Sequence, residues 1–321
     1  MTSATHLTHL LTLDSISPEE MENLFTQARL LKLARATASK SAQPLAGRTV
    51  ALLFEKPSLR TRISFEVAAR ELGANSLYLS WQEVGLGQRE AVKDAARVLG
   101  SYVHAIVIRT FSHALVEELA QWSPAPVING LTDSHHPCQG LTDVFTIEEQ
   151  LGGAAGKTLA YVGDGNNCAH SLAQAAAKAG MRVRIVTPKG YEPSPDAIAS
   201  AQRDAALSGG SITLLHDPVE AVAGADAIYT DVWASMGQEH EAEARRAIFA
   251  PYQVNEALLS HAAPGVIVLH PLPAHRGEEI TDEVIDGPHS RVIVQAENRL
   301  HVQKAILRAA VAARRQAALT A

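Results

Sequence analysis

Short apolar runs alternate with amphipathic stretches along nearly the whole chain. Residues 50–54, VALLF, have the length and continuity of a buried strand, and 63–72 follow at helical spacing until Gly73 closes them. A second short strand is expected at 77–79. Over 90–99, Val92, Ala95, Ala96 and Leu99 fall on one helical face. A strand at 105–109, a helix after Ser112 and a strand near Val127 complete this first series. The alternation restarts after Gly152 and Gly153, with a strand at 158–162, a helix at 169–179 and strands at 183–186, 212–215, 227–230 and 266–269. A long amphipathic helix is expected over 297–315. Strand–helix alternation of this kind makes parallel sheets covered by helices. The expected class is therefore α/β, with two doubly wound parallel-sheet domains covering 1–147 and 148–297, joined near 147–156. The terminal helix, 298–321, is expected to pack back on the first domain.

A length of 321 residues suits two such domains. Hydrophobic residues at 46% and charged residues at 19% are the composition of a globular core. The formal charge of -6 argues against nonspecific nucleic-acid binding, which needs a basic face, but leaves room for a locally basic pocket. No apolar run reaches the ~18 residues of a membrane span. The opening MTSATHLTHLLTLDS lacks the basic start and long apolar core of a secretory signal. Cys138 and Cys168 cannot build a disulfide framework and are expected to be free thiols in a reducing cytoplasm.

In open α/β sheets ligands sit beyond the carboxyl ends of the strands, so the polar residues there carry the chemistry. After the first strand comes Glu55-Lys56-Pro57-Ser58-Leu59-Arg60-Thr61-Arg62, then a helix. A helix N-terminus offers unpaired N–H groups, Ser58 and Thr61 add hydroxyls, and Arg60 adds a planar fork suited to phosphate oxygens. An ordinary capped helix with surface arginines is the competing reading. His135, His136 and Cys138 lack metal-ligand spacing, and no metal is expected. His136 and Gln139 stand one helical turn apart and can converge on a small ligand. Gly163-Asp164-Gly165-Asn166-Asn167 lacks the third glycine of a dinucleotide loop, which disfavours a nicotinamide enzyme. Asp231-Val232-Trp233-Ala234-Ser235-Met236-Gly237 supplies a carboxylate for an ammonium group and backbone N–H groups for a carboxylate. The polar run 238–246 reads as a mobile loop able to close over the site.

Ser58-x-Arg60-Thr61-Arg62 is similar to the carbamoyl-phosphate signature of the aspartate/ornithine carbamoyltransferase family. Val107-Ile108-Arg109-Thr110, His136-Pro137-Cys138-Gln139, His270-Pro271-Leu272-Pro273 and Glu297-Asn298-Arg299 come after it in that family's order, so the resemblance covers nearly the whole chain. It implies transfer of the carbamoyl group of carbamoyl phosphate to the δ-amine of L-ornithine, with no cofactor. It assigns the donor to Ser58, Leu59, Arg60, Thr61, Arg109, His136, Gln139, the Leu272 carbonyl and Arg299, with Arg60, Arg109 and His136 closest to the chemistry. It assigns ornithine to Asn167, Asp231, Ser235 and Met236, and leaves Asn166 as a turn residue. The absence of arginines between Asp231 and Arg245 favours ornithine over aspartate, whose second carboxylate needs them. N-acylated ornithine, putrescine and aspartate remain alternative acceptors, and a noncatalytic homologue is the alternative of another class.

Two positions depart from the ornithine pattern. Pro271 stands where ornithine-type members carry cysteine, and Gly85 stands where the 81–89 loop carries glutamine or histidine toward a neighbouring subunit. Gln82 and Gln88 flank Gly85 and are candidates for that contact. The resemblance implies a homotrimer or a multiple of it.

Overall fold

The computed structural model describes residues 7–37, 43–235, 237 and 241–320. The chain divides into two compact units, Met1–Cys138 with Arg299–Ala321, and Gln139–Asn298.

The first unit runs α1 (Pro18–Ala36), β1 (Thr49–Phe54), α2 (Leu59–Glu71), β2 (Asn75–Ser80), α3 (Trp81–Val84), α4 (Val92–Tyr102), β3 (Ala105–Arg109), α5 (His113–Trp122) and β4 (Val127–Leu131). Its four strands are all parallel, in the order β2-β1-β3-β4. β1, β3 and β4 are almost wholly buried, β1 and β3 through near-continuous apolar runs and β4 despite Asn129 and Gly130, whereas β2 forms an edge and alternates irregularly. Ala51, Leu53, Ile106, Ile108 and Val127 pack with Val92, Ala96, Val116 and Leu119 into one core beneath α4 and α5.

Helix α6 (Pro137–Leu151) begins at the end of the first unit and continues into the second. The second unit then runs β5 (Thr158–Val162), α7 (Asn167–Lys178), β6 (Arg182–Val186), α8 (Pro195–Ser208), β7 (Ser211–Leu215), α9 (Pro218–Val222) and β8 (Ala227–Thr230). It continues through α10 (Ala242–Phe249), α11 (Glu256–Leu259), β9 (Ile267–Leu269), α12 (Asp282–Ile285) and the start of α13 (Val292–Thr320), whose later part belongs to the first unit. Its five strands are again parallel, in the order β7-β6-β5-β8-β9.

Both sheets reverse their winding at one place. In the first, β1 pairs with β2 on one side and β3 on the other, so Phe54 and Arg109 end adjacent strands in register. In the second, β5 lies between β6 and β8, and Val162 pairs with Thr230. Such reversals open a crevice at the carboxyl ends of the two central strands, and that is where the polar segments of each unit emerge. The fold is the two-sheet α/β architecture expected from the pattern. The change of unit falls between Cys138 and Gln139, early in α6, and between Asn298 and Arg299 within α13.

Candidate active site

In the first unit, Ser58 caps α2 with extended backbone, its Oγ accepting from Thr61 N at 3.2 Å. The same hydroxyl donates to Thr61 Oγ1 at 3.0 Å, and Arg299 Nη2 reaches that oxygen at 2.7 Å. Thr61 Oγ1 thus accepts twice, which leaves its own hydrogen to be offered elsewhere. Arg60, the second residue of α2, is half-buried, and desolvation lowers its pKa. Leu59 is exposed. Arg109 ends β3 and His136 precedes α6, both buried. Burial, and then the charges of Arg299 and Arg109, hold His136 well below the ordinary imidazole range, so it is a neutral ring. Burial pushes the Cys138 thiol up to about 12, which makes it a small apolar side chain rather than a nucleophile.

The turns that carry these groups are tied together. Glu55 N and Lys56 N both donate to the Arg109 carbonyl, and Thr110 Oγ1 donates to the Glu55 carboxylate. Buried Lys56 pairs with Asp133 and lies over the Phe111 ring, 4.0 Å from its centroid. A register shift at Ile108/Arg109 skips Gly130 and sets Arg109 opposite Leu131. A Cβ at Gly130 would meet the Ile108 carbonyl at 3.1 Å, so this strand crossing favours glycine.

In the second unit, Gln139 is buried in α6, its amide Nε2 donating to Asp143 Oδ1 at 2.7 Å. Leu272 comes after β9 with φ 55, its N–H donating to His270 Nδ1 at 2.9 Å. Asn166 caps α7, its Oδ1 accepting from Cys168 N at 2.9 Å and Ala169 N at 3.2 Å. Its Nδ2 donates to Asp231 Oδ2 at 3.0 Å, while Asp231 Oδ1 accepts from Val232 N at 2.8 Å. Asn166 is therefore more than the turn residue expected: it orients the carboxylate. Asn167 opens α7 and is buried, Ser235 is half-buried, and Met236 lies outside the described residues.

The run 238–246 does not read correctly as a loop throughout. Residues 238–240 lie outside the described residues, but Ala242–Phe249 is helical. Arg245 anchors this helix: it is buried against Asp164 Oδ2 at 3.2 Å, the Trp233 carbonyl at 2.9 Å and the Tyr191 ring, and pairs one helical turn back with Glu241 Oε2 at 2.9 Å. Burial still raises the Asp164 carboxyl to about 6, against the opposing pull of Arg245. In the first unit, α3 occupies part of the 81–89 loop, with Gly85 as its left-handed cap at φ 63 and Gln82 and Gln88 exposed. Gly85 thus has a backbone role: its N–H closes on Trp81 and its carbonyl accepts from Arg89 N.

Among the described residues, one group of His, Asp, Glu or Cys side chains has its ligand atoms within 4.8 Å of one another: His275, Glu278 and Glu279. Glu278 already accepts from Arg246 at 2.9 Å and Glu279 Oε1 from His275 N at 2.6 Å, so these carboxylates serve the local backbone and surface. The His135 ring lies 4.6 Å from that of His113, tilted by 39°, and Cys138 Sγ donates to the Asn129 carbonyl at 3.5 Å. Both cysteines are buried, and neither is in a disulfide. No helix among the described residues is long and apolar enough to cross a membrane.

One sheet reversal carries an anion-suited turn with a neutral buried histidine and two buried arginines, and the other carries an oriented carboxylate, features that suit a transferase acting on small polar molecules. Residues 8–149 match the carbamoyl-P binding domain of aspartate/ornithine carbamoyltransferases, and residues 155–310 match their Asp/Orn binding domain. The chain belongs to the aspartate/ornithine carbamoyltransferase family. It is 54% identical over 298 residues to the ornithine carbamoyltransferase of Thermococcus kodakarensis, covering 93% of this chain and 94% of that one. It is also 54% identical over 301 residues to the ornithine carbamoyltransferase of Bacillus subtilis, covering 94% and 92%. The solved ornithine carbamoyltransferase of Pyrococcus furiosus superposes with a TM-score of 0.92 at 52% identity, over 95% of this chain and 97% of that one.

Proposed function

We propose that the protein transfers the carbamoyl group of carbamoyl phosphate to the δ-amine of L-ornithine, releasing L-citrulline and phosphate. The donor's phosphate binds at the N-terminus of α2 through Ser58, Leu59 N–H, Arg60 and Thr61, with Arg109 alongside. Arg109, Thr61 and neutral His136 donate to the carbonyl oxygen as it gains charge, with Arg299 supporting Thr61. Gln139 Oε1 and the Leu272 carbonyl accept from the carbamoyl NH₂.

The observation that carries the choice of acceptor is the pairing at Asp231. Its carboxylate, fixed by Asn166 and Val232 N, suits an α-ammonium, while the nearby Arg245 is committed to Asp164 and Glu241. An acceptor with a second carboxylate therefore lacks a cation there, and N-acylated ornithine lacks the ammonium. Asn167, Ser235 and Met236 hold the rest of ornithine. Amines of this type titrate near pH ~10, so desolvation has to favour the neutral nucleophile. The amine lone pair attacks the carbonyl carbon, the C–O bond to phosphate breaks with its electron pair leaving on phosphate, and the amine's proton passes to the departing phosphate. Catalysis is then orientation plus oxyanion stabilisation.

A homotrimer acting in the cytoplasm is part of this reading. The exposed Leu77 and Tyr78 on edge strand β2 support a partner there, with Gln82, Gly85 and Gln88 next in the chain. A product assay with carbamoyl phosphate and ornithine, N-acetylornithine, putrescine, aspartate and lysine tests the acceptor. Citrulline is expected, and preferential use of any other amine overturns the reading. Light scattering tests the trimer.

A further inference from the structure

Five polar side chains in the second unit are each 1% exposed or less: Gln139, Asp143, His270, Glu279 and Gln295. Hydrogen bonds link them into one line, with the His270 backbone N–H joining its two halves. Asp143 Oδ1 accepts from Gln139 Nε2 at 2.7 Å and from Gln295 Nε2 at 2.6 Å. Gln295 Oε1 accepts from His270 N at 2.9 Å. His270 Nδ1 accepts from Leu272 N at 2.9 Å, so the ring proton sits on Nε2 and is donated to Glu279 Oε1 at 3.0 Å.

Every direction in this line is determined. A carboxylate only accepts, so Asp143 draws the NH₂ end of both glutamines toward itself. The carbonyl end of Gln139 consequently turns away from Asp143, and flipping that amide would set oxygen against oxygen. At the other end, Leu272 is a non-glycine residue at φ 55, a conformation that persists only where its surroundings hold it. The bond from its N–H to His270 supplies part of that hold by anchoring the peptide plane that leads into Leu272. Buried polar lines are costly when incomplete, and apolar side chains could fill this space. What these bonds achieve, and apolar packing could not, is to set the direction of the Gln139 amide and to anchor the turn that carries Leu272.

We infer that Asp143, Gln295 and His270 are positioning residues which fix the Gln139 and Leu272 oxygens as paired acceptors, and so make the enzyme choose an acyl phosphate bearing NH₂ over one bearing CH₃. The inference rests on the reading that Gln139 and Leu272 hold the carbamoyl NH₂. Sites built to hydrogen-bond an N–H reject analogues lacking it by up to about 10⁴-fold, because buried partners are left unpaired.

The test uses acetyl phosphate, which replaces the NH₂ of carbamoyl phosphate by CH₃, as a competitive inhibitor of the full-length protein. KM and kcat for carbamoyl phosphate, Ki for acetyl phosphate and the thermal midpoint are measured for wild type, Gln139→Ala, Asp143→Ala, Asp143→Asn and the size-matched Gln295→Met. Asp143→Ala and Gln295→Met are expected to lower kcat/KM for carbamoyl phosphate about 10–100-fold while Ki for acetyl phosphate moves less than about threefold. Asp143→Asn, whose Oδ1 still accepts, is expected to recover part of the loss. Should Asp143→Ala not fold, Gln295→Met and Asp143→Asn carry the same comparison. Parallel loss of both ligands, or no change in either, overturns the inference. If Gln139→Ala itself leaves kcat/KM for carbamoyl phosphate unchanged, the assignment of the NH₂ contacts fails. If that variant loses selectivity but the Asp143 and Gln295 variants do not, only the positioning role fails.

Discussion

Asn166 uses both ends of its amide at once: Oδ1 caps α7 and Nδ2 holds Asp231 Oδ2 at 3.0 Å. The carboxylate at the end of β8 is thereby locked to the turn after β5, the two strands that flank the sheet reversal. Asn166→Ala is expected to raise KM for ornithine about tenfold, and Asp231→Asn about ten- to a hundredfold, with the KM for carbamoyl phosphate nearly unchanged. Loss of one charge-assisted bond, about 1.5–3 kcal/mol, sets the larger figure. Unchanged ornithine kinetics in both variants would remove Asp231 from the acceptor site.

Arg109 is asked to serve the leaving phosphate and the developing oxyanion together. Arg109→Ala should reduce kcat by about 10²–10³. Circular dichroism must show a folded protein. Near-normal turnover in that variant excludes Arg109 from the chemistry.

His136 carries a pH signature. Burial and two arginines depress its folded pKa, whereas in the unfolded chain it titrates near ~6.5. Below that value the unfolded chain binds the extra proton, so the contribution of His136 to stability is complete above pH ~6.5 and is lost as pH falls. His136→Gln should flatten this part of the stability curve, read from urea unfolding between pH 5 and 8. An identical slope in wild type and variant would show that the imidazole is not held neutral.

At Gly130 the test is packing. A methyl group there faces the Ile108 carbonyl at 3.1 Å, beside the shift that places Arg109. Gly130→Ala should cost about 1–3 kcal/mol in unfolding free energy and raise KM for carbamoyl phosphate. A stable variant with unchanged KM would mean the strand absorbs the methyl without moving Arg109.

Pro271 is buried at the turn that presents the Leu272 carbonyl. Pro271→Cys is expected to raise kcat/KM for ornithine while aspartate stays unused, because a thiol can exchange a weak hydrogen bond and proline cannot. Measuring both acceptors in both proteins decides it. A fall in ornithine activity would make the proline a working part of this turn.

The strands over Ala105–Arg109, Thr158–Val162 and Ala227–Thr230 were legible residue for residue, because short buried apolar runs are sharply bounded. Helix starts were less so. α2 begins at Leu59 and not at 63, since its first turn is polar and its start is set by the Ser58 cap. Helix α1 is absent from the expected elements, although Met21, Leu24, Phe25, Ala28 and Leu31 fall at helical spacing and Ser17 with Glu20 forms a capping box; the outward-facing Leu30 and Leu33 blur the stripe. Residue types at the candidate site were legible from the polar segments at the strand ends. The order of strands was not, nor were Asp164–Arg245 and Asp143–Gln295, because these pairings join residues far apart in the chain.

The sequestration of Arg245 also constrains how this protein could change over evolutionary time. A lineage drifting toward a dicarboxylate acceptor would find the Arg245 guanidinium already spoken for. Freeing it would strand the Asp164 carboxylate in a buried position and loosen the helix that carries Arg245. A new arginine would therefore have to arrive before the old one could be released, and the intermediate would be selected on its ornithine activity throughout.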